Sequence, residues 1–178
     1  MQNSTTDRAT FVSHLECGKT ATHYAADQLH GLSQVGSPLI VRYDLKGISE
    51  AVSKAELQSR PADLWRYREF LPVRQTKNIV SLGEIMTPLI ALTSLQKGPG
   101  RLIVKDEGRL PTGSFKARGL CMAVSMAKEL GVTKLAMPTN GNAGAAMAAY
   151  ASRAEMETYI FCPDDTPEIN VREIAAQG

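Results

Sequence analysis

The chain has 178 residues, 43% of them hydrophobic, and a formal net charge of +2, which suits one globular domain with a small appendage. Charges of both signs are interspersed, which argues against a nucleic-acid-binding surface, and no run is long and apolar enough to cross a membrane. The polar start, MQNSTTDRAT, lacks the layout of a signal peptide, so we expect a cytoplasmic protein. Cys17, Cys121 and Cys162 are widely spaced and odd in number, which favours reduced thiols.

The first part of the chain, residues 1–46, is rich in Gly, Ser and Thr and contains short strand-like runs. We expect it to form a small N-terminal arm. From residue 49 to 71 the apolar residues follow a helical spacing that Pro61 interrupts, which predicts two short helices. The next segment, LGEIMTPLIAL, contains a Thr-Pro turn before another short apolar run.

A regular alternation of strand-like and helix-like segments begins after Gly100. Strands that alternate with helices of this length favour right-handed crossovers and a parallel sheet covered by helices. The sequence therefore predicts an α/β region over residues 47–178, with the first long helix ending at Gly131. The segments in order are the strand RLIVK, the helix SFKARGLCMAVSMAKELG, the strand KLAMP, the helix GNAGAAMAAYASRA, the strand TYIFCP and the helix TPEINVREIAAQG.

Two unusual loops, DEGRLPTGSFK and TNGNAG, follow strands of this predicted sheet. Ligands bind at the carboxyl ends of parallel strands, where such loops gather. If the two strands are neighbours, both loops converge on one cleft. The second loop also has a purely structural explanation, since its glycines suit a tight turn that leads into a closely packed helix.

The first of these loops places two cations at the start of a helix. Ser114 is the expected N-cap, so Lys116 and Arg118 lie in or beside the first turn, where each opposes the helix dipole by about 0.3 to 1 kcal/mol. A local rule broken in this way often marks a functional site. The alternative is that both side chains are solvated or paired with Asp106 and Glu107.

The segments LIVKDEGRLPTGSFKARG and PTNGNAGAAMAAYASRA together resemble the fold type II pyridoxal phosphate enzymes, and among them the threonine synthase family. LGEIMTPLI is similar to that family's LGEGxTPL segment, and GSPLIVRYDL is similar to the end of its N-terminal arm. The resemblance implies a tryptophan synthase β-like fold, of which this chain would hold an incomplete part. It also implies pyridoxal 5'-phosphate as the cofactor.

The same resemblance implies roles for five residues. Lys116 binds the cofactor covalently through its amine and moves protons at the substrate's α and β carbons. Asn142 matches the asparagine that hydrogen-bonds the 3-oxygen of the pyridine ring. Thr139, Asn140 and Gly141 match the loop that holds the substrate's α-carboxylate.

The implied reaction is a β,γ-replacement that converts O-phospho-L-homoserine and water into L-threonine and phosphate. The implied partners are that small-molecule substrate and either a second copy of the chain or a complementary C-terminal half. Lys105, Arg109 and Arg118 are candidates for neutralising the substrate's phosphate, although an ion pair with Asp106 or Glu107 is favoured for each. A threonine or serine ammonia-lyase and a cysteine synthase-like enzyme are alternatives that share the fold.

A non-catalytic fragment is a further alternative. In the family, the glycine loop that binds the cofactor phosphate and the group that meets the pyridine nitrogen belong to the second half, beyond the position of Gly178. We therefore expect that this chain alone does not turn over the substrate, because a loosely held cofactor loses the benefit of orientation.

Three positions depart from the family's pattern. Ile85 stands where LGEGxTPL has glycine, so we expect a strained or reshaped turn there. Glu155 takes the place of a glycine that commonly ends the helix, which would remove a favourable left-handed cap. Ala117 replaces a frequent aspartate after the lysine. These changes concern local stability more than chemistry.

The N-terminal arm resembles a degenerate zinc ribbon. Cys17 is retained, but Ser33 and Val35 stand where cysteines are expected, and one thiol cannot make a four-ligand structural zinc site. His14 and two later histidines leave a mixed site open. We expect an arm that folds without metal and assign no metal ligands. The other two cysteines are expected to behave as small buried hydrophobic residues.

Overall fold

A computed structural model describes residues 10–178 as two compact units. Of the described residues, the first unit contains 10–61, Trp65–Ile79 and Ser125–Val132, and the second contains Ala62–Leu64, Val80–Val124 and Thr133–Gly178. Residues 1–9, which carry most of the polar start and the beginning of the expected arm, lie outside the described residues. The boundary expected after residue 46 stays a prediction.

A three-stranded antiparallel sheet lies at the start of the first unit. Its strands are β1 (Val12–Cys17), β2 (His23–Tyr24) and β3 (Leu39–Tyr43), in the order β2-β1-β3. Because side chains alternate along a strand, His14 and Glu16 share one face of β1, and Cys17 points to the other. The Cys17 side is the covered one, since this residue is only 1% exposed.

Three short helical segments follow the sheet, where the sequence predicts two. The helices α1 (Leu45–Ala51) and α2 (Lys54–Ser59) are separate because Ser53 caps α2 with its side-chain oxygen. After Pro61 the chain forms a 3-10 segment over Leu64–Phe70 instead of an α-helix. The segment is therefore helical, as the spacing of the apolar residues predicts, but the Ser53 cap and Pro61 divide it into three pieces instead of two.

The second unit has two separate two-stranded sheets. The strands β4 (Leu89–Ala91) and β5 (Ile103–Lys105) pair antiparallel, whereas β6 (Lys134–Pro138) and β7 (Glu157–Phe161) pair parallel. The architecture is thus mixed α/β. The prediction of parallel strands is correct for β6 and β7 and wrong for β5, the RLIVK strand.

The reason for the different pairing of β5 lies in its connection to β4. The loop between them closes with a hydrogen bond of 2.9 Å from the N–H of Leu92 to the carbonyl of Leu102. Antiparallel strands that are consecutive in the chain need only such a loop, whereas a parallel partner needs a crossover. In the described part of the chain, β5 and β6 are not paired.

The long helix α3 (Lys116–Glu129) ends at Gly131, as the sequence predicts. Gly131 has φ +74°, and its N–H donates to the carbonyl of Lys128 at 3.1 Å while Val132 donates to Ala127 at 2.9 Å. These two hydrogen bonds form a Schellman motif, in which a left-handed residue satisfies carbonyls at the helix end.

The helix α4 (Asn142–Arg153) is the buried helix of the second unit. Residues 144–151 are all buried, and the helix packs against β6, β7 and α5 (Glu168–Ala175). Small side chains make this close packing possible. A Cβ atom on Gly144 would lie 2.3 Å from Cγ2 of Thr139, so this position needs glycine.

The end of α4 corrects one expectation from the sequence. Glu155 has φ +57°, its N–H donates to the carbonyl of Ser152 at 3.0 Å, and Met156 donates to Ala151 at 3.0 Å. The left-handed cap is therefore formed without glycine. The hydrogen bonds satisfy carbonyls that would otherwise be free, and Glu155 adopts an unfavourable backbone conformation to make them.

The turn around Ile85 is reshaped without strain at that residue. Ile85 forms an isolated antiparallel bridge with Asp63, and positive φ falls instead on Gly83, at +90°. Among the helices of residues 10–178, none has both the length and the apolar character needed to cross a membrane.

Candidate functional site

The loop before α3 has an unusual backbone. It consists of two 3-10 turns, Glu107–Arg109 and Pro111–Gly113, followed by an extended Ser114. Thr112 has φ +60°, which is uncommon for a residue other than glycine, and Gly113 has φ +64°. Two successive left-handed residues turn the chain sharply, so that α3 begins at Lys116.

Lys116 lies half-buried at the start of α3, and its Nζ is 4.4 Å from the centre of the Phe115 ring. Within residues 10–178, this amine has no ion-pair partner. The hydroxyls of Thr112 and Ser114 are buried beside it in sequence and also have no hydrogen-bond partner there. The Ser114 side chain therefore makes no capping hydrogen bond to α3, contrary to its expected role as N-cap, although its carbonyl accepts from the N–H of Ala117 at 3.2 Å.

This arrangement fits a polar ligand that brings its own acceptors. Buried hydroxyls without partners cost free energy, and native structures rarely leave them so. A lysine amine and two such hydroxyls within residues 112–116 offer donors to an anionic or carbonyl-bearing group. Pyridoxal phosphate has an aldehyde, a phosphate and a phenolic oxygen, so the residues present fit this cofactor.

Arg118 is held by a closed network of side chains. Its Nε and Nη2 donate to the two carboxylate oxygens of Glu107 at 2.6 and 2.8 Å, and Nη2 also donates to Oγ1 of Thr87 at 3.2 Å. Thr87 in turn donates to Glu107 at 2.5 Å. The hydrogen bond from Arg118 and the one from Thr87 outweigh desolvation and lower the pKa of Glu107 to about 2.

The other two candidate phosphate ligands are also ion-paired. Nζ of Lys105 lies 3.7 Å from Glu107, and Nε of Arg109 lies 2.8 Å from Asp106. These cations therefore pair with Asp106 and Glu107, which is the alternative that the sequence favours. The network joins the TPL segment to the lysine helix, a link that the separate motifs do not reveal.

The loop before α4 is held by the hydroxyl of Thr139. This oxygen accepts from the N–H of Gly141 at 3.2 Å and from that of Gly144 at 3.0 Å. It thereby caps the start of α4, where N–H groups lack partners within the helix. Asn140 is exposed. The loop is thus a fixed turn at a helix N-terminus, which suits the binding of a carboxylate.

Asn142, the first residue of α4, has a side chain whose orientation follows from its neighbours. Nδ2 of Asn170 donates to the carboxylate of Glu173 at 3.3 Å and to Oδ1 of Asn142 at 3.2 Å. A carboxylate only accepts, which fixes the Asn170 amide, and the atom of Asn142 that faces it must then be the oxygen. The NH₂ group of Asn142 is therefore left to donate to a ligand.

The two loops meet through α4. This helix contacts the turn Pro111–Gly113 as well as β6 and β7. The sequence predicts that the loops converge through neighbouring strands, but the described strands β5 and β6 are not paired. The helix makes the connection instead. Whether Thr139, Asn140, Gly141 and Asn142 act on substrate and cofactor stays a prediction.

Two further residues link the LGE segment to α4, and the sequence analysis missed both. Glu84 is fully buried and accepts from Tyr150 at 2.5 Å, from Ser81 at 2.6 Å and from the N–H of Leu82 at 2.8 Å. Desolvation favours the neutral acid, but these hydrogen bonds outweigh it and lower the pKa of Glu84. A lone tyrosine among the alanines of α4 is the signal that could have indicated a buried polar contact.

In the N-terminal arm, the structure places Cys17 beside one of the residues that stand for missing cysteines. Sγ of Cys17 lies 3.2 Å from Oγ of Ser33, which also accepts from the N–H of Ser37 at 3.0 Å. A buried hydrogen-bonded pair thus occupies this part of the degenerate ribbon. Cys121 is a buried thiol, as expected, and burial raises its pKa to about 12.

Comparisons with known proteins agree with the motifs. A family model described as pyridoxal-phosphate dependent enzyme matches residues 80–178. Threonine synthase from Methanocaldococcus jannaschii is 40% identical over 152 residues, which are 84% of this chain and 37% of that protein. Threonine synthase from Halalkalibacterium halodurans is 46% identical over 102 residues, which are 57% and 29% of the two chains.

A crystal structure of a pyridoxal 5'-phosphate-dependent aspartate racemase matches 53% of this chain and 31% of that chain, with 26% identity and a TM-score of 0.49. The chain spans about a third of the length of the curated relatives it matches.

Proposed function

Because this chain belongs to the family of pyridoxal-phosphate dependent enzymes, we propose that it supplies the lysine-bearing part of a threonine synthase. The reaction is the conversion of O-phospho-L-homoserine and water into L-threonine and phosphate. The observation that carries the proposal is Lys116, a half-buried lysine without an ion-pair partner among the described residues, which follows two buried hydroxyls without partners there, those of Thr112 and Ser114, in the same stretch of chain. The relatives named threonine synthase support this choice of reaction.

Lys116 holds the cofactor through its amine and, once free, removes and returns protons at the substrate's α and β carbons. When bound, the cofactor withdraws electrons from the substrate carbon that loses its proton. The hydroxyls of Thr112 and Ser114 help to orient the bound group, because both are buried donors just before Lys116 in the chain that have no acceptor among the described residues.

Asn142 donates its NH₂ group to the 3-oxygen of the cofactor ring. The contact from Asn170 supports this role, since it occupies the amide oxygen and leaves the nitrogen free. The turn over Thr139, Asn140 and Gly141 binds the substrate's α-carboxylate. Its rigidity, which the Thr139 hydroxyl maintains, reduces the ordering cost of that binding.

Arg118 has a positioning role in this proposal. Its guanidinium is already engaged by Glu107 and Thr87, so it holds the lysine loop instead of binding the substrate's phosphate. The same holds for Lys105 and Arg109, which pair with acidic residues of the loop. The groups that neutralise the leaving phosphate are then supplied from elsewhere in the whole protein.

The test of this function is an assay that separates the related reactions. With O-phospho-L-homoserine, a threonine synthase releases equal amounts of phosphate and threonine, whereas an ammonia-lyase forms a keto acid from threonine or serine. The assay needs the whole protein, since the chain alone is expected to be inactive. The variant Lys116→Ala should abolish turnover, and Lys128→Ala, an exposed lysine in the same helix, should retain it. Keto acid formation without phosphate release would instead assign the lyase function.

A further inference from the structure

One face of the sheet in the first unit brings three metal-binding side chains together. His14 and Glu16 lie two residues apart on β1, and His23 on β2 is the cross-strand partner of Glu16. This spacing puts all three on the same face. Their nearest ligand atoms all lie within 4.8 Å of one another. The arrangement involves neither Cys17 nor the residues of the lysine loop.

The individual distances converge on one carboxylate oxygen. Nε2 of His14 is 3.8 Å from Oε2 of Glu16, and Nε2 of His23 is 3.9 Å from the same oxygen. The two imidazole rings are stacked, with centroids 3.8 Å apart. Zinc bonds of about 2.0 to 2.2 Å place tetrahedral ligand atoms about 3.4 Å apart, so modest side-chain rotations bring all three onto one ion.

The hydrogen bonds of Ser13 and His14 indicate which tautomer a neutral His14 ring adopts. Oγ of Ser13 donates its one proton to the carbonyl of Arg42 at 3.1 Å, so at 2.9 Å it must accept from Nδ1–H of His14. The proton of the neutral ring is then on Nδ1, and Nε2 carries a lone pair. This Nε2 atom is buried and has no hydrogen-bond partner in the described part of the chain.

A buried lone pair that faces a carboxylate oxygen is unfavourable without a cation between them. Arg42 does not fill this position, because its guanidinium binds the other carboxylate oxygen, Oε1, at 2.5 and 3.1 Å. Oε2 therefore remains directed at the two imidazoles. A metal-binding histidine is commonly oriented by a hydrogen bond at the ring nitrogen that does not bind the metal. The Ser13 hydroxyl makes such a bond with Nδ1–H of His14, so that Nε2 faces the site.

We propose that His14, Glu16 and His23 bind one divalent transition-metal ion of the zinc class. Imidazole nitrogens with one carboxylate suit zinc, and His23 is 64% exposed, so water completes the coordination. The site differs from the cysteine positions of a zinc ribbon. The arm is expected to fold without metal, and the ion then binds to the folded sheet. This inference does not rest on the proposed reaction.

Calorimetric titration of the 178-residue chain with Zn²⁺, after removal of metal by a chelator, tests the site. We expect one ion per chain. His14→Gln and His23→Gln should each weaken binding by at least about tenfold, and Ser13→Ala, which removes no ligand, should weaken it by about 10- to 100-fold. The matched control is His30→Gln, whose ring nitrogen contacts the carbonyl of Ala25 at 2.7 Å and should leave the affinity unchanged.

Two results would overturn the proposal. One is the absence of saturable binding by the unsubstituted chain, and the other is the same affinity in His23→Gln as in the unsubstituted chain. Loss of fold in His14→Gln is recognised by circular dichroism, and the more exposed His23 then carries the test. Co²⁺ gives a second readout, since a tetrahedral site with histidine ligands produces visible absorption that His23→Gln should remove.

Discussion

Replacing Glu155 by glycine is expected to stabilise the second unit. Glu155 occupies the left-handed position after α4, with φ +57°, and its side chain is exposed. A left-handed conformation costs an L-residue about 1 to 2 kcal/mol relative to glycine. The carboxylate also lies at the C-terminal end of the helix dipole, where a negative charge costs about 0.3 to 1 kcal/mol.

Glycine offsets part of this gain, because its greater freedom in the unfolded chain costs about 0.5 to 1 kcal/mol. The net expectation is a gain of about 1 kcal/mol, or about 2 to 4 °C in melting temperature for a chain of this size. The gain should come chiefly from the backbone conformation, since the cap hydrogen bonds donated by Glu155 and Met156 involve only main-chain atoms and are kept in the variant.

Urea denaturation followed by circular dichroism measures the change, with two matched variants. Glu155→Gln removes the charge but keeps the side chain, so it should recover only a few tenths of a kcal/mol, at the low end of the charge contribution. Ala154→Gly introduces glycine one residue earlier, at φ −90° and ψ 0°, where it should destabilise by about 0.5 to 1 kcal/mol. The reasoning is refuted if Glu155→Gly is no more stable than Glu155→Gln.

Three further predictions concern the site and its supports. Asn170→Leu should release the amide of Asn142 and weaken pyridoxal phosphate binding about fivefold, as about 1 kcal/mol of hydrogen bonding is lost, measured by absorbance titration. Tyr150→Phe should destabilise by about 1.5 to 3 kcal/mol in urea, because the Glu84 carboxylate loses a charge-assisted hydrogen bond. The folded-state pKa of Glu107, about 2, is below the ordinary 4.5. The ionised Glu107 side chain therefore contributes about 1 to 3 kcal/mol to the free energy of unfolding above about pH 4.5, and this contribution is lost as the pH falls toward 2. The midpoint of urea unfolding should fall less over this pH range in Glu107→Gln than in the unsubstituted chain.

The sequence predicted well those elements that local signals define. The helices α3 and α4 and the parallel pair β6 and β7 follow from apolar periodicity and from glycine at Gly131. The partner of β5 was wrong, because antiparallel pairing with β4 depends on loop closure between strands, which periodicity does not encode. Glu155 shows the same limit, since the hydrogen-bonded cap prevailed over the preference for glycine.

The candidate site divides in a similar way. Lys116 and Asn142 are candidates that the motifs indicate directly, and their roles stay predictions. The contacts of Glu84 with Tyr150 and of Asn170 with Asn142 join residues 66 and 28 positions apart. No local pattern specifies which buried polar groups meet across such a distance, so only the folded arrangement reveals these supports.

The claim that the loop before α3 holds the cofactor is tested most directly by identifying the lysine to which pyridoxal phosphate attaches covalently. The chain is incubated with pyridoxal phosphate, reduced with borohydride and digested, and the modified peptides are mapped by mass spectrometry. We predict the pyridoxyl group on Lys116, with labelling lost in Lys116→Ala and retained in Lys128→Ala. Labelling mainly at Lys105, or spread evenly over exposed lysines, would contradict the claim that this loop is built to hold the cofactor.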